Sequence, residues 1–368
     1  MSLAMRFPIA AALTLLVCVA CGAEEPTAPT ADAAGDSVFV ATLRARLEAA
    51  TDAGQFSGVV LVTRDGHTLF EGAYGLADRE RGVPNTTATQ FRVGSMNKML
   101  TAVATLQLVQ DGRLRLDEPL GTYLPDYPNA DVASQVTLHH LLTHTGGTGD
   151  IFGPPFTAHR TELRTTEDYI RLYGTRGLRF APGAQWEYSN YGFMLLGAVI
   201  EGVSGQSYYD YVAAHIIEPA SMTATGSAPE DSVVPGTLVS NAPTLPYRGT
   251  AAGGGYSTVR DLARFAAALQ EHRLLDAAHR ALLLDGKIAR PQGAYYAYGF
   301  FDRVIGGRLF VGHGGGAPGM NGDLAFEPDG GYVVVVLSNF DPPAAGQMSA
   351  FILDRLPPTP AGGGDARR

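Results

Sequence analysis

The sequence predicts an α+β fold. It is an antiparallel sheet of five strands or slightly more, flanked by helices and built from both chain ends, with a mostly helical insertion between them. Three observations carry this expectation. Near the front, the apolar runs 58–63 and 68–72 are joined by Arg64-Asp65-Gly66-His67, a hairpin signal. Near the back, four β-rich runs (298–304, 308–312, 322–326 and 332–337) are separated by Gly306-Gly307, Ala317-Pro318-Gly319 and Pro328-Asp329-Gly330. Between the two groups the apolar residues follow helical spacing with long connections, without the strand–helix alternation that a parallel sheet requires.

In chain order, residues 1–20 read as an export signal. An apolar run from Ile9 to Cys21 follows Arg6 and is too short to span a bilayer comfortably. Leu16-Val17-Cys18-Val19-Ala20-Cys21 resembles the lipobox of bacterial lipoproteins, with Cys21 as the lipidated residue, although Cys18 stands where leucine is usual. Cleavage after Ala20 or Ala23 without lipidation is the alternative. Both cysteines fall in this segment, so the exported part has no internal disulfide. Residues 21–36 read as a flexible tether and 37–356 as the catalytic unit. Within that unit a sheet part (37–90 plus 253–356) encloses a mostly helical part (91–252), and 357–368 form a loose tail.

A helix is expected over 38–50, with Val40, Leu43 and Leu47 on one side, and Arg79–Ala88 reads as a loop. Met96, Met99, Leu100, Val103, Leu106 and Val109 then mark a buried helix that begins at Gly94-Ser95 and ends before Gly112. Short helices follow over 137–142 and 166–173. The apolar segment 190–203 stops at Gly205, and 207–217 ends before Pro219. Ser257 reads as the N-cap of 258–269, and 351–356 closes the fold as a helix.

Composition narrows the function. With 45% hydrophobic and 17% charged residues the chain is an ordinary globular protein, and its net charge of −9 argues against nucleic acid as a partner. Of 27 basic residues other than histidine, only Lys98 and Lys287 are lysines. Arginine supplies charge but does not give up its proton, so lysine at 98 allows base chemistry that arginine would not. Ser95 and Lys98, three apart, share one helical face. A serine hydroxyl needs a neighbouring base, and a lysine amine can be that base when burial lowers its pKa. The helix N-terminus also favours a developing oxyanion.

Two Tyr-x-Asn triplets occur. Tyr127-Pro128-Asn129 lies in a proline-rich loop and reads as a decoy, whereas Tyr188-Ser189-Asn190 opens an apolar helix. A tyrosine beside an ammonium can shuttle protons. Packing by Tyr188 with capping by Ser189 or Asn190 is the plainer alternative. His313-Gly314-Gly315-Gly316 ends a strand, where glycines let backbone approach a substrate and a free N–H could join that of Ser95 in an oxyanion hole. His139, His140 and His144 invite a metal reading, but no His-Glu-x-x-His is present, and helix-end hydrogen bonding is the better account.

Ser95-x-x-Lys98, Tyr188-x-Asn190 and His313-Gly314-Gly315 stand in this order along the chain. With Leu141–Gly147, Ala252–Thr258 and Gly312–Gly319 they give a chain that resembles the serine β-lactamase superfamily of the class C type, from about Phe56 to Phe340. That superfamily also contains D-Ala-D-Ala carboxypeptidases and β-lactamase-like esterases. The resemblance implies a β-lactamase/transpeptidase-like fold with Ser95 as the acylated nucleophile and Lys98 as its proton acceptor. It implies Tyr188 as general base and acid, and Asn190, His313 and Gly315 at the substrate. The N–H groups of Ser95 and Gly316 would form the oxyanion hole, and no metal or organic cofactor follows.

The third motif departs from the Lys-Thr-Gly common in β-lactamases and peptidases. Histidine has a reference pKa of about 6.5 and glycine has no hydroxyl. Each missing charge-assisted hydrogen bond to a substrate carboxylate is worth about 1.5–3 kcal/mol. The expected function is therefore an exported serine hydrolase, periplasmic or at the cell surface, that forms an acyl-enzyme with an ester or small amide. A D-Ala-D-Ala carboxypeptidase or weak β-lactamase acting on a peptidoglycan-like substrate is the near alternative. A tethered sensor that is acylated without turnover is the distant one. An α/β-hydrolase is disfavoured by the lack of a Gly-x-Ser-x-Gly elbow and by a strand pattern that is antiparallel and not alternating βα.

Overall fold

The computed structural model describes residues 31–227 and 246–358. Eight strands form its main sheet: β1 (Gly58–Arg64), β2 (His67–Tyr74), β3 (Ile288–Ala289), β4 (Tyr295–Tyr296), β5 (Phe301–Ile305), β6 (Arg308–Ala317), β7 (Met320–Phe326) and β8 (Tyr332–Ser338). They are antiparallel throughout, in the order β2-β1-β8-β7-β6-β5-β4-β3. The two chain ends meet at the centre, where Val60 pairs with Val336 and Val62 with Val334. Both central strands are buried on both faces, which is why they read as unbroken β-branched runs and not as an alternating pattern.

Successive side chains still point to opposite faces. Val60, Val62, Val334 and Val336 pack under Phe39, Leu43 and Leu47 of α1 (Ala31–Asp52), together with Met348 and Ile352 near the C-terminal end. Val59, Leu61, Val333, Val335 and Leu337 face the other way, into a core shared with the helical insertion. That core is centred on α2 (Asn97–Gln110) and α3 (Asn190–Ser204), and α4 (Val259–Gln270) lies against β1 and β8. The helix nearest the C-terminus is α5 (Ala344–Leu353).

The sheet takes the larger form of the expectation of five strands or slightly more, because β3 and β4 are two-residue strands with no run long enough to be legible. Strand β5 starts three residues later than the sequence suggested. Gly299, at φ +72°, turns the chain just before it, and a Cβ there would lie 2.9 Å from the Lys98 carbonyl oxygen. Residues 31–36, read as part of the tether, belong to α1, where Asp36 is fastened to β1 by an ion pair with Arg64 at 2.6 Å. Helix α5 starts seven residues before the expected 351. The cap of α4 is Thr258 and not Ser257; its hydroxyl accepts from the Asp261 N–H at 3.2 Å. The export signal with Cys21, the tether up to residue 30 and the tail beyond 358 lie outside the described residues. Among the described residues no helix is long and apolar enough to cross a membrane.

Candidate active site

Ser95 stands on a single 3-10 turn, Gly94–Met96, directly before α2 and not on the α-helix itself. The turn needs Gly94 at φ +53°, and a Cβ there would lie 3.0 Å from the Gly316 nitrogen. Lys98 follows on the first turn of α2 and is wholly buried. Its Nζ donates to Ser95 Oγ at 3.3 Å, to Asn190 Oδ1 at 2.7 Å and to the Ala252 carbonyl. It also faces the rings of Tyr188 at 4.7 Å and Phe193 at 5.4 Å. Burial brings the Lys98 amine down to about 7, against the opposing charge of Asp150. Near neutral pH the amine is therefore divided between its two protonation states.

Tyr188 comes from the segment before α3 and lines the same cavity as Ser95, whose side chain acts on its phenol. Burial pushes that phenol above its ordinary value, with Ser95 opposing, so it keeps its proton in the resting site. Asn190 is the first residue of α3. The cap residue Ser189 accepts from the Gly192 N–H at 2.9 Å and donates to the Gly149 carbonyl at 2.5 Å. The sequence thus joins in space two segments about ninety residues apart, and a helix start lies under each.

The glycine-rich motif forms the end of β6, which runs past the expected stop at Gly312. His313 to Gly316 are paired with β7 from Gly316↔Asn321 to His313↔Leu324. Gly315 presses on the serine turn, where a Cβ would meet the Val93 carbonyl oxygen at 2.0 Å. Its own carbonyl accepts from Asn321 Nδ2 at 2.8 Å. Gly316 lines the cavity beside Ser95, whereas His313 and Gly315 are not among its lining residues. His313 is buried among Tyr188, Tyr296 and Phe301. Its Nδ1–H donates to the Gly314 carbonyl at 2.5 Å, and Nε2 accepts from Tyr296 at 3.4 Å. Burial and the nearby Lys98 lower it to about 4, so it is neutral at pH 7.

The other histidines are held by protein groups. His139 bonds Tyr298 at 2.8 Å, and His140 Nδ1 accepts the Thr137 N–H at 3.2 Å. His144 accepts the Ser189 N–H at 3.1 Å and bonds Tyr296 at 2.9 Å. Among the described residues no group of metal-ligating side chains converges. Tyr127 bonds Tyr191 at 3.1 Å and Asn129 caps a helix, away from Ser95.

Above Ser95 opens a cavity of about 350 Å³, walled by Ile151, Phe152, Ala317, Pro318 and Met320, with Arg92 and Arg248 also among its lining residues. Sequence reasoning missed Asp150, which holds Asn190, and the Ala252 carbonyl, which holds Lys98. Asp150 is an isolated acid after a glycine turn, 40 residues from its partner, and no spacing rule joins the two.

The chain is similar to several named proteins. Esterase EstB of Burkholderia gladioli is 36% identical over 230 residues, which cover 57% of this chain and 58% of EstB. The D-alanyl-D-alanine-carboxypeptidase/endopeptidase AmpH of Escherichia coli is 29% identical over 260 residues, covering 68% of this chain and 65% of AmpH. The chain thus spans less than two thirds of either relative. The crystal structure of a penicillin-binding protein from Bacillus halodurans superposes with a TM-score of 0.75 at 31% identity, covering 83% of this chain and 98% of that one. The Beta-lactamase family model matches residues 43–356, from α1 past the end of α5, and on that match the chain belongs to the Beta-lactamase family.

Proposed function

We propose that the protein is a serine hydrolase that forms an acyl-enzyme with an ester or small amide. One observation carries the reading: a buried amine near its midpoint at neutral pH bonds the Ser95 hydroxyl, and a protonated phenol lines the same cavity beside it. In its neutral form Lys98 takes the Ser95 proton as Oγ attacks the substrate carbonyl. The N–H groups of Ser95 and Gly316 face the resulting oxyanion. Tyr188 gives its proton to the leaving group, the C–O or C–N bond breaks, and Lys98 returns a proton to the phenol. Water then attacks the acyl-enzyme with the same groups in reverse. This divides the roles expected from the motifs: Lys98 is the first acceptor, and Tyr188 acts first as acid and then as base.

The substrate class follows from charge. A neutral His313 behind Tyr188 offers no cation where a β-lactam or peptide carboxylate would be held, and the cavity walls are mainly apolar. This favours esters and small amides without that carboxylate. The second reading, a D-Ala-D-Ala carboxypeptidase or weak β-lactamase, draws on the arginines among the cavity-lining residues. We further infer export, from the apolar run before Cys21, with lipidation of Cys21 as its finer form.

Fluorophosphonate labelling of the wild type and a Ser95→Ala variant tests the chemistry. The expected result is label on Ser95 and p-nitrophenyl acetate turnover that falls at least ~100-fold in the variant. A Ser95→Ala protein with wild-type turnover would sink it. Nitrocefin and a peptide ending in D-Ala-D-Ala distinguish the second reading.

A further inference from the structure

We propose that Asp150 is a positioning residue of this site: its carboxylate fixes which end of the Asn190 amide faces Lys98, and it holds the counter-charge to that amine. The inference rests on Lys98 being the base of the proposed reaction. Asp150 Oδ1 accepts from the backbone N–H groups of Ile151 at 2.8 Å and Asn190 at 2.9 Å, while Oδ2 accepts from Asn190 Nδ2 at 3.2 Å. An asparagine amide has one donating and one accepting end. A carboxylate can only accept, so Nδ2 must face Asp150, and this turns Oδ1 towards Lys98 at 2.7 Å. The Asn190 side chain has no freedom to flip against that carboxylate.

The carboxylate is itself held in place. Gly149, at φ +70°, turns the chain into it, and its carbonyl takes the Ser189 hydroxyl. Arg176 donates to the Asp150 carbonyl at 2.7 Å and to that of Thr148 at 3.4 Å. The three side-chain hydrogen bonds of Asp150 come from neutral N–H groups and bring no compensating cation.

Around Lys98 the titratable groups are Tyr188 from the segment before α3, His144 from the loop beneath it, His313 from β6, and Asp150. Tyr188 is protonated, and both histidines are held neutral by burial. Asp150 is thus the group in this set whose charge favours the ammonium. Removing that charge makes the amine easier to deprotonate. It also lets Asn190 present its NH2 end to Lys98, which acts in the same direction.

The test is the pH dependence of the rate at which a fluorophosphonate labels Ser95, a readout that needs no natural substrate. In the wild type the rate rises with pH through about 7 as Lys98 loses its proton. In Asp150→Asn, which keeps an acceptor for the backbone N–H groups, this limb moves to lower pH by about one unit, as expected for a nearby opposite charge removed. Asp150→Glu keeps the charge and leaves the limb in place, even if the plateau falls. A merely structural role would lower the plateau in both variants without moving the limb. Should Asp150→Asn not fold, Asp150→Ser is read by the same criterion. A reactive wild type whose limb the neutral variants leave unmoved overturns this inference alone. A wild type that reacts at no pH overturns the serine-hydrolase reading beneath it as well.

Discussion

Burial prepares the individual residues of this site in opposite ways. It makes the Lys98 amine a usable base, makes the Tyr188 phenol keep its proton, and keeps His313 and His144 uncharged. The histidines tie acid stability to the site. His313 has a folded-state value of about 4 against about 6.5 when exposed, so the unfolded chain binds more protons between those values. Its contribution is therefore complete above about pH 6.5 and lost as pH falls towards 4. By pH 4.5 the loss from this residue should be about 2 kcal/mol. Urea midpoints at pH 7 and 4.5 check this: His313→Gln, which cannot titrate, should lose less stability over the interval than the wild type. Equal losses would mean that the ring takes up its proton as readily in the fold as in the unfolded chain.

Strand β6 shows how one element carries three different demands on adjacent glycines. A Cβ at Gly314 meets nothing closer than 3.4 Å, an ordinary contact. At Gly315 it lies 2.0 Å from a backbone oxygen of the residue before the serine turn, and at Gly316 2.6 Å from the Pro342 ring. Backbone cannot rotate away as a side chain can. Gly315→Ala should therefore destabilise the fold by about 3 kcal/mol, the upper end for overpacking, and push β6 from Ser95. Fluorophosphonate labelling should slow at least ~10-fold, while Gly314→Ala labels near the wild-type rate. Equal rates in the two variants would refute this account. The same strand marks the limit of what the sequence discloses. The run Tyr332–Leu337 announces β8 because β-branched residues have few other uses in such density. Glycine carries no strand preference, so a sequence reading stops β6 at Gly312 although pairing continues to Ala317. Ser95, Lys98 and Tyr188 were legible because their chemistry needs particular residue types at helix starts. Asp150 was not, because its partner is 40 residues away and the link exists only once the loop is folded.

For the molecule as a whole, the arrangement of the cores decides how it unfolds. The sheet part is assembled from two stretches of sequence on either side of one continuous helical insertion, an organisation that could let the insertion open alone. The packing argues otherwise. Val60 and Val62 of β1 belong to the core under α1, while Val59 and Leu61 of the same strand belong to the core of α2 and α3. β8 divides in the same way, with Val334 and Val336 on one side and Val333, Val335 and Leu337 on the other. Loss of either core therefore removes half the burial of both central strands. Leu43 and Leu196 lie in different cores and are both fully buried, so each truncation to alanine should cost about 2–5 kcal/mol. Coupling through the sheet predicts that Leu43→Ala and Leu196→Ala lower the midpoint of one common transition, not of two. Far-UV circular dichroism follows the whole fold, and the single tryptophan, Trp186, reports on the site from beside Tyr188 at 6.2 Å and His144 at 5.8 Å. In urea the two signals should coincide in the wild type and in both variants. If Leu196→Ala moves the tryptophan transition ahead of the dichroism while Leu43→Ala leaves it in place, the insertion unfolds on its own, and the shared strands do not couple the two cores.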